Sequence, residues 1–558
     1  MNMFSLRSSC FAALLVPAAL SAQNLTPAEI LRPTPDSWPT YHGDYSGRHH
    51  SPLNQINQTN VKNLSLAWVM RLTATTQNAI IGGEGPAPAP GANTGGAAGL
   101  NVKATPLMVD GIVYLSSQDN AWAVDARSGK EIWHYFWKTR GGSHIGNRGV
   151  GIYGNWLFFE TPDDYVVCLD AATGKERWHK QIADVRAEYY STPAPVIIGN
   201  HVLLGTGGDY LDVPAWLESR DPETGDVQWK WNATPRPGEP GAETWPDAFS
   251  MEHGGGSPWQ PPTYDPELNL IYVTTGNPQP VMIGDSRKGD NLWTSSIVAL
   301  NPDTGKMAWY FQSSPHDTHD WDATQTPVLF DATVNGQPRK LLAQASRNGM
   351  FFVLDRTNGK NILSAPFIES ANWSLGFDAK GQPRRNPDKD AQLGGALVSP
   401  HNGGASNWPP PSYDPNTGLF YVNTVEGYSM HYRVVPDGEK VGGYGGDSEH
   451  GIGGLGAALR AIDVKTGKQR WIHRYPGADG TGPRPESLGG LLSTEGHLLF
   501  GGGPSGHLIA YEPANGNILW HSGLAAPIGS TPITYMQDGT QVVLVVAGDS
   551  AYSFSIQK

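Results

Sequence analysis

The stretch AVDARSGKEIW, residues 123–133, decides the fold because it returns in six further versions. They are CLDAATGKERW (168–178), SRDPETGDVQW (219–229), ALNPDTGKMAW (299–309), VLDRTNGKNIL (353–363), AIDVKTGKQRW (461–471) and AYEPANGNILW (510–520). Each reads as strand, turn, strand. An apolar pair precedes an acid or amide, a Gly supplies positive φ in the turn, and four residues later the chain returns to a packed face. Trp holds that last position in every copy but the fifth, where it is Leu363. The turn residues Asp125, Asp170, Asp221, Asn301, Asp355, Asp463 and Glu512 are 45, 51, 80, 54, 108 and 49 positions apart. A period near 50 suits a four-stranded propeller blade, and no helical periodicity accompanies it, which excludes an α-solenoid. The longest interval has room for a further blade around GLFYVNTVEGYSM (418–430), and LSLAW (64–68) reads as a strand closing the ring with the C-terminal end. The expectation is an all-β, eight-bladed β-propeller, with seven blades the runner-up.

Composition agrees with a single globular ring. The 558 residues include 68 Gly, 45 Pro and 19 Trp, with 16% charged, a turn-rich and aromatic-rich profile rather than a disordered one. The formal charge of −13 contains no long block of one sign, which argues against a nucleic-acid partner. The start, MNMFSLRSSCFAALLVPAALSAQ, has an Arg, an apolar run and small residues at its end. It reads as a secretory signal over 1–22, leaving one propeller domain over 23–558, periplasmic or secreted, without stable membrane insertion. Cys10 falls in that leader, so Cys168 stands alone and no intrachain disulfide is expected; no CxxCH is present to attach a haem. The turn acids and tryptophans are expected to knit neighbouring blades. Function is expected from the two long intervals, 221–301 and 355–463.

One cluster stands apart from the repeat. SPHDTHDWDATQTP (314–327) puts His316, Asp317, His319, Asp320 and Asp322 within seven positions. That much acid beside imidazole serves a metal, a proton-abstracting base, or a polar loop. Hard cations prefer oxygen, so the histidines read as loop residues.

The A-x-D-x-x-T-G-x-x-x-W repeat resembles the tryptophan-docking motif of quinoprotein alcohol dehydrogenases, propellers that use pyrroloquinoline quinone (PQQ) and a metal ion. The resemblance runs from SWPTYHGDYSGRHHSPL (37–53) to the end. In GGGSPWQPPTYDPELNLIYVTTGNP (254–278) it implies Trp259 as the PQQ platform and Asn277 as a metal ligand. It implies Asp320 as catalytic base and metal ligand. Asp322 falls where lanthanide-using members carry an extra carboxylate; pairing with a nearby cation is the alternative. SHIGNRGVGIYG (143–154), EYYSTPAPVIIG (188–199), ASRNGMFFVLDRTNG (345–359) and GGASNWPPPSYDP (403–415) imply PQQ contacts at Arg148, Thr192, Arg347 and Asn407, with Arg347 near the quinone oxygens. Departures accompany these matches. Gly142 and Ser143 replace a vicinal cysteine pair, Lys103 replaces an acid, and SLGGLLST (487–494) replaces Trp-rich surroundings. Tyr210 replaces the metal-binding glutamate, for which Asp209, in preference to Asp212, is the expected substitute. The resemblance implies a dehydrogenase of primary alcohols using PQQ with Ca²⁺ or a lanthanide, and a soluble c-type cytochrome as acceptor. A sugar or polyol dehydrogenase and a non-catalytic scaffold are the alternatives.

Overall fold

The computed structural model describes residues 25–88, 100–208, 211–334, 336–476 and 487–557. The expected leader and its cleavage point, Asp209 and Tyr210 lie outside the described residues.

Among the described residues, eight sheets of four or five strands follow one another along the chain, with one two-stranded hairpin besides. Sheet 1 comprises Leu107–Val109, Ile112–Ser117, Asn120–Asp125 and Glu131–Trp137, with Ile80–Gly82 added in parallel outside the fourth strand. Sheets 2 to 5 are antiparallel meanders over 151–181, 196–232, 263–312 and 328–366. Sheet 6 spans 396–474, and sheet 7 spans 491–523 with His50–Ser51 alongside. Sheet 8 holds Ile533–Gln537, Thr540–Ala547 and Ser550–Ile556, and its outer strand is Leu64–Arg71 from the other end of the chain. A series of meander sheets completed by a strand from the chain's start is a β-propeller. The closing strand lies where LSLAW placed it.

The 108-residue interval does not contain a blade of its own. The stretch 418–430 lies in strand Leu419–Arg433, which pairs with Asp447–Asp463 in the same sheet that carries the Asp463 turn. The extra length goes into that elongated hairpin and into the small hairpin Ser374–Phe377 with Pro383–Arg385.

Middle strands are buried along their whole length, as in Ile112–Ser117, His201–Thr206 and Leu498–Gly503. A strand covered on both faces by adjoining sheets shows no polar alternation. Fourth strands such as Glu176–Gln181 are half exposed and carry Lys, Arg and Glu.

The repeat turns form the seams between sheets. Gly129, Gly174, Gly225, Gly305, Gly359, Gly467 and Gly516 all have φ between 66° and 77°. Asp125 and Asp170 accept main-chain N–H groups within their own turns. The Trp of one sheet lies against the turn Gly of the next: Trp68 on Gly129, Trp133 on Gly174, Trp178 on Gly225, Trp229 on Gly305, Trp309 on Gly359 and Trp471 on Gly516. The indole N–H groups of Trp68, Trp133, Trp229, Trp309 and Trp471 donate to carbonyls of those same turns. Leu363 takes the equivalent place against Gly467.

Candidate active site

Most of the singled-out residues share one placement. Arg148, Thr192, Trp259, Asp320 and Asp322 all lie in segments leading into the first strand of a sheet, and Asn407 leads into Ser412–Asp414. Lys103 precedes sheet 1 in the same way. Those first strands are edge strands, and their entry segments converge on one cavity of about 310 Å³. Arg347 reaches it from the turn between the second and third strands of sheet 5.

The two acids are built into place from below. Asp317 accepts the main-chain N–H groups of His319 at 3.1 Å and Trp321 at 2.7 Å. This turn holds Asp320 at φ +62°, a conformation costly for a non-glycine residue and concentrated at functional sites. Burial pushes the Asp317 carboxyl up to about 6. His319 stacks on Trp321 and donates to the Lys389 carbonyl, while His316 donates to the Gly289 carbonyl. Burial drives both imidazoles down, His319 to about 4 and His316 to about 3. Neither lines the cavity.

Arg347 spans both acids, with Nη2 2.8 Å from Asp320 Oδ2 and Nη1 3.0 Å from Asp322 Oδ2. Its Nε and Nη2 also donate to the Asn402 carbonyl. Gly404 makes room for this arm, since a Cβ there would lie 2.1 Å from Arg347 Cγ. Asp322 additionally accepts the Asn277 main-chain N–H at 2.7 Å and the Trp259 indole N–H at 3.2 Å. Burial pushes the Asp322 carboxyl up, and Arg347 pulls against it. Asn277 Nδ2 donates to Asp320 Oδ1 at 3.1 Å. The acids are thus a paired, fully engaged unit around the Arg347 guanidinium.

Two further cations, Arg148 and Lys103, line the same cavity. The Arg148 guanidinium lies 4.4 Å from the Trp259 ring centroid and 5.6 Å from that of Trp408, and Nη1 donates to the Thr192 carbonyl. Lys103 Nζ donates to the Ile145 carbonyl at the rim. Asn407 lines the cavity while its amide is engaged by Gly403 and Trp408 of its own loop.

Three expectations fare differently. Asp209 and Tyr210 lie outside the described residues. Asp212, the other candidate acid, accepts the Gly443 N–H and is not part of the cavity wall. Among the described residues, no cluster of three or more His, Cys, Asp or Glu is arranged to hold a metal. Two lining residues carried no sequence signal of their own. Trp408 adjoins the singled-out Asn407, and Tyr444 comes from a loop without a motif; its hydroxyl donates to Asp320 Oδ1 at 3.3 Å.

The family model described as glucose/ethanol/alcohol dehydrogenase, beta-propeller domain, of the PQQ type, matches residues 38–369 and 457–543, more than half of the chain. The chain belongs to the PQQ-dependent alcohol dehydrogenase family. The quinoprotein alcohol dehydrogenase PedH of Pseudomonas putida is 34% identical over 543 residues, 90% of this chain and 84% of that protein. The solved quinohemoprotein alcohol dehydrogenase ADHIIG of Pseudomonas putida superposes with a TM-score of 0.83 at 28% identity, covering 96% of this chain and 83% of that one. A europium-containing methanol dehydrogenase superposes with a TM-score of 0.79 at 26% identity, over 95% of this chain and all of that one. In this PQQ-dependent alcohol dehydrogenase homologue, a vicinal cysteine pair has no room: Gly142 sits at φ +85°, and a Cβ there would lie 1.8 Å from the Pro162 carbonyl oxygen. Among the described residues, no helix is long and apolar enough to cross a membrane.

Proposed function

We propose that the chain is an eight-bladed, tryptophan-docked propeller that oxidises a primary alcohol or related hydroxyl compound at the cavity bounded by Trp259, Arg148 and the Asp320–Arg347–Asp322 unit. The observation that carries this reading is the polarity of the cavity. One cavity gathers the Trp259 ring, the Arg148 and Lys103 cations, and two carboxylates joined by the Arg347 guanidinium.

The residues fit both groups the family uses. A flat polycarboxylate needs an aromatic face and cationic or hydroxyl donors; Trp259, Arg148, Thr192, Arg347 and Asn407 all line the one cavity and would supply them. A hard cation takes carboxylate and amide oxygens; Asp320, Asp322 and Asn277 are in contact and would supply them once the Asn277 Nδ2 and the Arg347 N–H groups that now engage the acids turn away, with Asp209 the expected further ligand. Bound PQQ supplies the two-electron oxidising chemistry, and a bound Ca²⁺ or lanthanide ion supplies Lewis acidity.

The chain's own part is to hold a base. Asp320 receives the alcohol's hydroxyl proton, its carboxylate fixed by Asn277 on one oxygen and Arg347 on the other. Arg347 keeps the two acids apart in orientation and supplies fixed positive charge beside them. Asp322 aligns Arg347 and the Trp259 indole. A soluble c-type cytochrome is the proposed acceptor, since the chain carries no CxxCH of its own, and the expected site of action is the periplasm or the exterior.

The test is dye-linked oxidation of a primary alcohol by the mature protein with PQQ, in parallel with Ca²⁺ and La³⁺, and with PQQ retention read from its absorbance after gel filtration. Turnover with retained PQQ is expected. Asp320→Asn should retain PQQ and lose about 10²–10⁴ in kcat. Asp322→Ala should abolish lanthanide-dependent turnover alone if Asp322 is a ligand; equal loss with both ions assigns it to holding Arg347. Absence of PQQ binding with either ion sinks the dehydrogenase reading.

A further inference from the structure

The insert that lengthens sheet 6 also reaches the site. Strands Leu419–Arg433 and Asp447–Asp463 are 15 and 17 residues long, and their connecting loop, 434–446, folds back to the cavity. The loop is fastened on three sides. The Gly443 N–H donates to both Asp212 carboxylate oxygens, at 2.9 and 3.1 Å, and the Gly443 carbonyl accepts the Val281 N–H at 2.7 Å. Asp285 pairs with Arg433 at 2.6 Å and accepts the Gly438 N–H at 3.2 Å. The Val434 N–H meets the Gly446 carbonyl at 3.0 Å across the loop's base.

A loop fastened this way delivers its next side chain to a fixed place. Tyr444 is 40% exposed, so its ring stands between solvent and cavity. Its hydroxyl donates to Asp320 Oδ1, the oxygen opposite the one bound by Arg347. The carboxylate therefore has the arginine on its inner side and the phenol on its outer side. A hydroxyl compound brought to Asp320 has to extend its remaining atoms past the Tyr444 ring.

We infer that Tyr444 selects the substrate: its ring is the outer wall of the alcohol subsite, and its hydroxyl tethers that wall to Asp320. This rests on the dehydrogenase reading above. It does not follow from the Asp320 chemistry, because Tyr444 sits on an insert loop and leaves the cation-lined part of the cavity untouched. Selection by a wall acts through apolar contact, where a difference of one or a few carbon atoms changes kcat/KM by about 10–200-fold.

The experiment compares ethanol with benzyl alcohol on the PQQ-loaded parent, Tyr444→Phe and Tyr444→Ala, with PQQ retention measured on each preparation. Tyr444→Ala is expected to raise the benzyl-to-ethanol ratio of kcat/KM by about tenfold, through KM; loss of the hydroxyl on Asp320 lowers kcat for both alcohols alike and cancels in that ratio. Tyr444→Phe keeps the ring and loses the tether, so its ratio should fall between the other two. A ratio in Tyr444→Ala within about twofold of the parent's overturns the inference. A parent that retains PQQ and discriminates normally while the variants match it leaves the dehydrogenase reading standing and removes this one. A parent that retains no PQQ removes both.

Discussion

At the scale of single residues, the buried acids divide by what faces them. Asp320 and Asp322 share a guanidinium, whereas Asp164 has only hydroxyl donors, Ser191 and Thr206. Ser191 and Thr206 adjoin Thr192 and Gly205 of the cavity wall, so this acid supports the wall from behind. Burial pushes Asp164 up to about 7, and the neighbouring Glu160 is also pushed well up by burial. A carboxyl that is harder to ionise in the folded chain holds its proton more tightly folded than unfolded. Its favourable contribution is complete below the ordinary carboxylate range and is lost as pH rises through about 7. Asp164→Asn removes that loss while keeping an acceptor for the hydroxyl groups, which can rotate to suit it. The variant should gain stability relative to the parent between pH 5 and pH 8, measured as the difference in urea midpoint at each pH. A difference independent of pH would show that Asp164 titrates alike in both states.

At the scale of elements, much of the fold was legible because each repeat is a local event. The acid and the Gly mark the turn between the third and fourth strands of a sheet, and the Trp follows within the fourth strand. Sheet 8 takes its fourth strand from Leu64–Arg71, so it has no such turn and hence no copy of the repeat. Sheet 8 is therefore unmarked in the repeat, and the room in the 108-residue interval is taken by the elongated hairpin and the small hairpin Ser374–Phe377 with Pro383–Arg385. The wall residues in the entry segments were named through family resemblance to short local signatures such as SHIGNRGVGIYG and GGGSPWQPP, and the structure brings Arg148, Thr192, Trp259 and Asp320 to one cavity. The contact between Tyr444 and Asp320 joins an insert to a different sheet, and no short-range pattern encodes it. The seams give a direct test of what the repeat does. Gly359 and Gly467 both have positive φ, 72° and 66°, but face different partners. A Cβ on Gly359 would lie 2.5 Å from the Trp309 ring, whereas on Gly467 it would lie 3.0 Å from the Leu363 terminus. The backbone cost of Ala is about 1–2 kcal/mol at either site, so Gly359→Ala should be the more destabilising of the two by the added clash. Trp309→Ala should cost about 3–5 kcal/mol, because it empties a buried site and removes one of the two donors to the Arg356 carbonyl, leaving the Tyr272 hydroxyl. Denaturation midpoints of the three variants check the order, and equal midpoints for the two glycine variants would remove the indole's part in the seam.

At the scale of the molecule, the ring is closed without a covalent link where Leu64–Arg71 meets Ser550–Ile556, by strand pairing, core packing and the Arg71–Asp549 ion pair. Leu64–Arg71 pairs with Ser550–Ile556, with Ser65 directly opposite Ser555. Nearly the whole chain lies between these strands, so opening this one pairing frees both edges of the ring at once. The closing strand is also among the more exposed, with Leu66 and Val69 about half accessible at 45% and 53%. In sheets 1 to 7 the fourth strand is joined to the third by a short turn, so the closure is the junction to which a cross-link adds a covalent tie. Directly opposed residues on antiparallel strands hold their Cβ atoms about 4.5–5.5 Å apart, close enough for a disulfide after small adjustment. The pair Ser65→Cys and Ser555→Cys therefore staples the closure. The native thiol at Cys168 is buried, and burial pushes it above the usual range, so it should not compete. The staple spans a very long loop, for which a gain of about 2–4 kcal/mol is typical. The denaturant midpoint of the oxidised double variant should exceed that of the same protein after reduction, while the reduced form matches the parent. Equal midpoints in both redox states would mean that unfolding begins elsewhere in the ring, with the closure still paired.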